Sequence, residues 1–294
     1  MAVFTLPPEM IGFYKSHIEY LTVHAVDADR RRYASRNEAP RHYIDIDHYG
    51  SEDQSPFEAM PRKWTDAVEK FSEDTLQAYG IVPWHIASMT VWLTKAFEKK
   101  DANRILYLSA DLGHYVADAH VPLHTTLNYN GQLTNQKGIH GLWESRIPEL
   151  VAEEFNYFVG RAKYIKSPLN TAWDIVEESH SYLDSVLLIE KMLTQAFPSD
   201  QKYAFEDRGL STVKQYSQDF ALSYHKRMGD MVESRMQQSI RMVGSFWYTA
   251  WINAGQPDLD QLKNEIDEEA LKQKEIAEKQ AAKEKKIKGR SHQE

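Results

Sequence analysis

The stretch that decides the fold is "DANRILYLSADLGHYVADAHVP", residues 101–122. Asp101 is a favourable helix N-cap, and Pro122 stops the helical pattern because proline lacks the backbone N–H that a helix needs. Between them, apolar side chains recur at helical spacing. These are Leu106, Leu108, Leu112, Tyr115 and Ala119. The segment therefore predicts one amphipathic helix over about 102–121.

Patterns of the same kind recur along most of the chain, and no run of alternating β-branched residues indicates a strand. Only 13 Gly and 11 Pro interrupt 294 residues. We therefore predict an all-α, single-domain multi-helix bundle. The expected helices cover about 9–25, 61–79, 82–99, 102–121, 139–160, 170–196 and 208–253, and the last is expected to bend near Gly229 and Gly244.

Composition limits the possible functions. A chain with 42% hydrophobic residues and 7 Trp can bury a substantial core. A net charge of −8 argues against a protein that coats duplex nucleic acid. The chain has no Cys, so a bound metal ion needs nitrogen and oxygen ligands, and the redox compartment stays undetermined.

The two ends of the chain carry no sign of a membrane segment. No run of eighteen apolar residues predicts a membrane span, and the N-terminal residues lack the pattern of a signal peptide. We expect one domain over residues 1–256. Residues 257–294 are rich in Glu, Lys, Gln and Ala and predict a charged helical or disordered tail. A partner-binding helix or a basic anchor at Lys283 to Arg290 is the alternative.

Two pairs of potential metal ligands lie on predicted helices. His114 and Asp118 are four residues apart, so their side chains share one helix face, and His140 and Glu144 repeat that spacing. A single such pair is more typical of a surface ion pair or a core hydrogen bond. Two pairs with His124 just after Pro122 favour a site with more than one metal ion. Zinc suits these imidazole and carboxylate ligands best, although manganese or iron would be chemically tolerable.

The order HxxxD, then a His six residues after the Asp within "PLH", then HxxxE, resembles the zinc-dependent phospholipase C and single-strand-specific nuclease superfamily, whose nuclease branch is the S-one/P-one type. The resemblance covers most of residues 1–256. It implies an all-α domain with three zinc ions at the bottom of a cleft, which hydrolyses phosphate esters. It also implies export to the periplasm or the outside of the cell.

The family also takes an Asp and a His from upstream, about fifteen residues apart, and the resemblance assigns these to Asp27 and His42, with Asp29 as the fallback. Arg30 then matches an arginine near the substrate phosphate. Tyr43 and Asp45, in "HYID", match an aromatic residue that stacks on a base and an Asp that hydrogen-bonds the base. Asn130 matches an asparagine that contacts the phosphate, with Asn128 as the near alternative.

By this resemblance, the first zinc is bound by Asp27, His42, His114 and Asp118. The second zinc is bound by His124, His140 and Glu144. Asp118 would bridge to a third zinc, whose family ligands are an N-terminal Trp and a nearby His that this sequence lacks. We therefore expect an N-terminally truncated family member with two zinc ions and weakened activity.

The expected reaction is attack of a zinc-bound hydroxide on phosphorus, in line with the leaving group, with Asp27 orienting the hydroxide and Arg30 neutralising developing charge. The preferred substrates are single-stranded nucleic acid and nucleoside 3'-phosphates. Two alternatives remain open: a zinc-dependent phospholipase C acting on phospholipid headgroups, and a catalytically weak or inactive zinc-binding homologue. We expect structural roles for His48, His85, His120 and His180, and nothing predicts a protein partner.

Overall fold

The computed structural model describes residues 1–209, 211–262, 266–267, 269–273, 276–277 and 280. Helices dominate this part of the chain. They are α1 (Pro8–Ser16), α2 (Ile18–His24), α3 (Asp27–Arg31), α4 (Pro56–Ala59), α5 (Trp64–Phe71), α6 (Glu73–Tyr79), α7 (Val82–Glu98), α8 (Ala102–Ala119), α9 (Ile139–Gly141), α10 (Ile147–Val151), α11 (Pro168–Ser181), α12 (Leu183–Ala196), α13 (Gln218–Met228) and α14 (Met231–Asn253). A π-helical segment, Leu142–Arg146, joins α9 to α10. The predicted helical fold class is confirmed.

Helix α8 forms as its sequence predicts. The Asp101 carboxylate accepts a hydrogen bond from the backbone N–H of Arg104 at 2.9 Å, which caps the first turn. The helix ends at Ala119, and Pro122 opens a short 3-10 helix, Pro122–Thr125. Its apolar face packs against α7, α14 and α2. The helix therefore ends just after the predicted ligands His114 and Asp118.

Two hydrophobic cores meet at the C-terminal end of α8. The first contains Ala119 and gathers side chains from α1, α7, α8, α11 and α14. The second contains Val121 and Leu123 and gathers side chains from α10, α12 and α13. The segment that carries His114, Asp118 and His124 thus runs from one core into the other. Close packing on both sides fixes the backbone of this segment.

One segment that was predicted to be helical forms two strands instead. Strands β1 (Tyr203–Arg208) and β2 (Ser211–Tyr216) form an antiparallel hairpin, with Tyr203 paired to Tyr216, whereas the sequence predicted a helix from about residue 208. Gly209, with φ of +63°, supplies the turn conformation that other residues adopt at a cost. Aromatic and β-branched side chains in both strands favour the pairing. Helix α13 starts only after Ser217.

Several predicted helices are shorter than expected or divided. The predicted bend near Gly229 is confirmed as a break between α13 and α14, whereas Gly244 lies inside the continuous helix α14. The helix expected over 139–160 ends at Val151, followed by one 3-10 turn, Ala152–Glu154. The helices expected over 9–25, 61–79 and 170–196 each form two helices, α1 and α2, α5 and α6, and α11 and α12.

The start of the predicted tail packs against the first core. Leu259 and Leu262 are buried there, and the Asn103 side chain exchanges two hydrogen bonds with the backbone of Asp267, at 3.1 and 3.0 Å. The packed part of the chain therefore extends past residue 256. The alternative of a basic anchor at Lys283 to Arg290 lies outside the described residues. No α-helix in the described ranges combines the length and the apolar character that spanning a bilayer requires.

Gly80 holds the segment of His42 in place. Around it, the backbone N–H of Asp45 donates to Tyr79, and that of Val82 donates to Tyr43, at 2.7 and 3.2 Å. Gly80 has φ of +95°, and a Cβ there would lie 2.7 Å from the carbonyl carbon of Tyr43. Only glycine fits both the conformation and the space.

We predict that Gly80→Ala lowers the free energy of unfolding by about 3 kcal/mol or more, because it adds a backbone clash to the strain of positive φ. Gly160→Ala is the matched control, since φ there is +82° and a Cβ would meet open space. This control should cost about 1–2 kcal/mol. Urea denaturation measures both, and equal losses would contradict the prediction.

Candidate metal centre

Four side chains converge between α8 and the segment before Tyr43. The Nδ1 atom of His42 lies 2.9 Å from the Oδ2 atom of Asp118 and 3.1 Å from the Nε2 atom of His114. The same Nε2 atom lies 3.3 Å from Oδ2 of Asp118. The Oδ1 atom of Asp29 lies 3.7 Å from Nδ1 of His42 and 3.6 Å from Nε2 of His114. We call these four residues group A.

The spacing of group A matches what a tetrahedral ion requires. Ligand atoms about 2.0–2.2 Å from a tetrahedral zinc ion lie about 3.4 Å from one another. The five distances above range from 2.9 to 3.7 Å. The donor atoms are two imidazole nitrogens and two carboxylate oxygens, a set that zinc accepts. Group A therefore fits a metal ion in both donor chemistry and spacing.

A second group lies just beyond α8. The Oε2 atom of Glu144 is 2.6 Å from Nε2 of His140 and 3.5 Å from Nε2 of His124. Both histidines are buried, and the Glu144 side chain is partly exposed. We call these three residues group B. Three ligands with one partly open side are typical of a metal site that leaves a position for water or substrate.

Backbone carbonyls orient the two histidines of group B. Nδ1 of His124 donates to the carbonyl of His42 at 2.6 Å, and Nδ1 of His140 donates to the carbonyl of Tyr129 at 3.0 Å. A carbonyl only accepts, so each Nδ1 carries a proton and Nε2 is the nitrogen that a metal ion in group B would bind after displacing the proton there. Metal-binding histidines show this arrangement almost always. The bond from His124 to His42 also links the two groups.

The charges of the two groups depend on one another. Burial lowers the pKa of His114, but the carboxylates of Asp118 and Asp29 more than offset it and raise the pKa to about 9. Burial likewise lowers the pKa of His124, and the carboxylates of Asp118 and Glu144 raise it to about 9. A metal ion that binds either group must therefore displace protons from these rings.

The carboxylates show the reciprocal effect. Burial raises the pKa of Asp118, yet the neighbouring His114 and His124 hold that pKa below its ordinary value. For Glu144, His140 and His124 overcome burial and hold the pKa well below its ordinary value. Because Asp118 interacts with a histidine of each group, it electrostatically connects group A to group B.

The structure brings Asp29 to group A and places Asp27 elsewhere. The Asp27 carboxylate contacts Nδ1 of His24 and Nη1 of Arg30, both at 2.6 Å. The structure therefore groups the fallback residue Asp29, and not Asp27, with His42 and His114, and the roles assigned to Asp27 and Arg30 stay predictions. The "DADRRR" sequence explains the ambiguity, since Asp29 and Arg32 repeat the same Asp-x-x-Arg spacing two residues later. Nη2 of Arg32 lies 3.3 Å from Oδ1 of Asp29.

Tyr43 and Asp45 are not available to a base in this structure. The Tyr43 side chain is 9% exposed and Asp45 is fully buried. A stacking platform needs an exposed ring face, and a base reader needs an exposed polar edge. The predicted roles of both residues therefore lack the exposure that they require. An aromatic residue directly after a His can be a stacking platform for a base or a residue of the core, and the sequence alone does not distinguish the two.

Asn130 serves the loop that carries His140. Its Oδ1 accepts the backbone N–H groups of Gly138 and His140, at 3.0 and 3.4 Å. Asn128 acts similarly one turn earlier, where its Oδ1 accepts the N–H of Leu133 at 2.8 Å. Both asparagines are buried. The structure therefore gives each a role in shaping the loop, and the predicted phosphate contact stays a prediction.

Sequence reasoning missed the buried network behind group A. The Glu38 carboxylate accepts a hydrogen bond from the Tyr115 hydroxyl and pairs with Arg41 at 2.7 Å and Arg31 at 3.6 Å. Its Oε1 atom lies 3.8 Å from Nε2 of His42. Tyr115 follows His114 directly on α8 and was read only as an apolar residue. The i, i+4 spacing of Glu38 and His42 was the available signal.

Four other histidines have structural surroundings. Nδ1 of His120 donates to the carbonyl of Val116 at 2.7 Å, and burial together with Arg235 lowers the His120 pKa to about 3. The His48 ring stacks on Tyr79. His85 is buried, with its ring against the ring of Tyr115, and His180 hydrogen-bonds Thr125.

Comparison with known proteins adds no relative. No family model matches the chain, and no curated protein matches it. The resemblance to the zinc-dependent phospholipase C and nuclease superfamily therefore stays a prediction. The two groups of potential ligands are the observation on which function must be argued.

We predict that Asp29→Asn removes one metal equivalent from the chain, because it takes a charged ligand out of group A. Asp27→Asn is the matched control, and it should keep full metal content because the Asp27 carboxylate faces His24 and Arg30. Metal analysis of the two purified variants measures the difference. Loss of metal in the Asp27 variant alone would restore the original assignment.

We predict that the metal-free chain loses stability between pH 6.5 and pH 9. The pKa of His114 and of His124 rises on folding from 6.5 to about 9, so the folded state binds more protons than the unfolded state in this window. That contribution is complete below pH 6.5 and disappears as the pH rises through 9. Urea denaturation in the presence of a chelator measures it, and His124→Gln should flatten the decline. A flat profile in the unmodified chain would contradict the prediction.

Proposed function

We propose that the protein is a zinc-dependent hydrolase of phosphate esters. The observation that carries the proposal is the pair of adjacent donor groups, in which both group B imidazoles are oriented by backbone carbonyls and Asp118 interacts with histidines of both groups. A histidine in a structural ion pair does not need a backbone carbonyl to orient its ring. Hydrolysis at a pair of divalent ions is the chemistry that such a constellation supports best.

The residues of each group have separate tasks in this proposal. Group A would hold one zinc ion through Asp29, His42, His114 and Asp118. Group B would hold a second through His124, His140 and Glu144. Bound zinc supplies Lewis-acid polarisation of the phosphoryl oxygens and a lowered pKa of water. Zinc remains the preferred ion. Because the donor sets contain no thiolate, manganese or iron would also be chemically tolerable for the same ligands.

Residues next to groups A and B contribute charge around the ligands and leave one side of group B open. Arg32 lies against Asp29 and offsets the negative charge of that carboxylate. Glu38, held by Tyr115 and Arg41, places a negative charge behind His42, 3.8 Å from Nε2 of that ring. The partly exposed Glu144 leaves group B open on one side. A phosphate ester would enter from that side, with its phosphate between the two groups.

For the substrate we retain single-stranded nucleic acid or a nucleoside 3'-phosphate, the class implied by the nuclease-like Asp-x-x-Arg step. In the register of the structure that step is Asp29 to Arg32. Export to the periplasm or the cell exterior belongs to the same resemblance and is proposed with it. A phospholipid headgroup is the second candidate, because Glu144 is the carboxylate that the phospholipase branch uses where the fungal nucleases use Asp.

The test compares activity with metal content. The purified chain should contain zinc and release nucleotides or phosphate from single-stranded DNA, RNA or a 3'-nucleotide, and chelation should abolish the activity. Choline release from a phosphatidylcholine emulsion alone would favour the second candidate. A chain without bound zinc at neutral pH would contradict both and leave a non-enzymatic role.

We predict that His140→Ala lowers the rate of hydrolysis by about 100-fold or more, because it removes a group B ligand. His48→Ala is the matched control, since the exposed His48 ring stacks on Tyr79 outside both groups. Initial rates at saturating zinc measure both variants. Equal rates for the two would exclude group B from the reaction.

A further inference from the structure

The β1–β2 hairpin contacts the chain on both sides of His140 and Glu144, the helical ligand pair of group B. The Tyr216 hydroxyl, at the end of β2, donates to the carbonyl of Lys137 at 3.3 Å, three residues before His140. Strand β2 also packs against the π-helical segment, which contains Glu144. The hairpin is therefore placed to hold the segments that enter and leave this ligand pair.

The connection on the His140 side runs through Glu190, a fully buried carboxylate on α12. Its Oε1 atom lies 2.9 Å from Nζ of Lys202, the residue just before β1, and accepts a hydrogen bond from the Tyr216 hydroxyl at 3.3 Å. Its Oε2 atom accepts a hydrogen bond from Nε2 of Gln136 at 2.5 Å. A buried carboxylate is tolerated only when such partners replace its lost hydration. Glu190 therefore joins the hairpin, α12 and the loop before His140 at one point.

Aromatic rings hold Lys202 at this point. Its Nζ atom lies 5.3 Å from the ring centres of Tyr203 and Phe220 and 5.4 Å from that of Tyr216. Cation–π attraction strengthens when the cation is removed from water, and the Lys202 side chain is 11% exposed. Tyr203 begins β1 and Tyr216 ends β2, so the base of the hairpin is fixed to Glu190.

Gln136 links Glu190 to the peptide of His140. The Gln136 side chain is buried, and its Nε2 also donates to the carbonyl of Leu187 on α12 at 2.7 Å. The backbone carbonyl of Gln136 accepts the N–H of Ile139, the residue before His140, at 3.1 Å. A shift of Gln136 would therefore move the backbone from which the His140 ring projects.

The connection on the Glu144 side is an ion pair. Nη2 of Arg146, two residues after Glu144, lies 2.5 Å from Oε1 of Glu206 on β1. Oε2 of Glu206 accepts a hydrogen bond from Nε2 of Gln215 on β2 at 2.6 Å, which orients the carboxylate. The carboxylate of Glu149 lies farther from the Arg146 guanidinium, at 3.8 Å. The Arg146 side chain is 10% exposed, so little water is available to replace Glu206 as its partner.

We propose that the hairpin positions the ligands of group B and thereby sets the zinc affinity of that group, with Gln136, Glu190 and Glu206 as positioning residues. The inference rests on the proposed hydrolase function, in which group B holds one of two zinc ions. Residues that orient metal ligands typically change metal affinity by about 10- to 100-fold when they are replaced. Group A takes its ligands from α3, α8 and the segment of His42, which other contacts hold, so its affinity should not depend on the hairpin.

The test measures the zinc affinity of each group separately, in the full chain, by competition with a chromophoric chelator. Asp29→Asn leaves group B intact, and His140→Ala leaves group A intact. Each is combined with Gln136→Met, which removes the amide bonded to Glu190 and keeps a side chain of similar volume. Glu190 retains its contacts with the hairpin and with α12, so the variant leaves this buried charge with partners.

Gln136→Met should weaken zinc binding to group B by about tenfold and leave group A unchanged. At full occupancy with Co²⁺, the visible absorption of group B should also change, because displaced ligands alter the coordination geometry. A residue that only stabilises the fold would affect both groups alike and would leave the absorption of the bound ion unchanged. Equal weakening of the two groups, or no weakening of either, would overturn the proposal.

A second variant, Glu206→Gln, tests the other connection with less risk to folding, since the Glu206 side chain is 38% exposed. It should weaken zinc binding to group B by about threefold, because an exposed partner contributes less than a buried one. Asp174→Asn is the matched control, since Asp174 forms an exposed ion pair with Arg62 at 2.7 Å that includes no residue of either group or of the hairpin. A loss in the control equal to that of Glu206→Gln would contradict the role of Glu206.

The outcomes also separate this inference from the proposed function. Selective weakening of group B in a chain that does not hydrolyse phosphate esters would uphold the role of the hairpin and refute the hydrolase. Zinc binding and hydrolysis, with unchanged affinities in both hairpin variants, would refute the role of the hairpin alone. A chain that binds no zinc would refute both.

Discussion

The buried carboxylate of Asp118 is the constraint on which the rest of the site depends. Its side chain is 7% exposed, and a buried charge is tolerated only when partners compensate for lost hydration. His42 and His114 contact it directly, and His124 interacts with it from the start of the next segment. Satisfying this one charge therefore draws to α8 both the segment of His42, 76 residues away in sequence, and the turn that follows the helix.

The supporting structure follows from that requirement. His42 must reach α8, and the segment that carries it is held by backbone hydrogen bonds around Gly80. His124 must return toward α8, and its own Nδ1 bond to the His42 carbonyl fixes the turn after Pro122. Two hydrophobic cores clamp these segments from either side. The polar side chains of groups A and B therefore lie where the two cores meet.

The sequence predicted those parts of the site that helical geometry alone determines. The i, i+4 pairs at His114 and Asp118, and at His140 and Glu144, each place their donor atoms together, as a helix face requires. The choice between Asp27 and Asp29 could not be made this way, because both begin an Asp-x-x-Arg step and only the packing of α3 against α8 selects one. The hairpin at Tyr203 to Tyr216 was missed because its strands are short and lie within a chain of otherwise helical patterns. Burial of Tyr43 depends on contacts with residues that are distant in sequence, which local patterns do not report.

The π-helical segment between α9 and α10 bears on how this chain tolerates changes in length. A π turn accommodates one residue more than the α-helical turn that it replaces, so Leu142–Arg146 works as a one-residue insertion that the helix has absorbed. Upstream of it, His140 faces group B, and downstream Ile147 and Val151 face the second core. Removal of a single residue from the segment would restore a regular α-helical turn, so His140 and the two core residues would keep their faces. A deletion in an ordinary helical turn instead rotates one side relative to the other by about 100°. This short stretch should therefore tolerate the loss of one residue better than the regular helices of the chain.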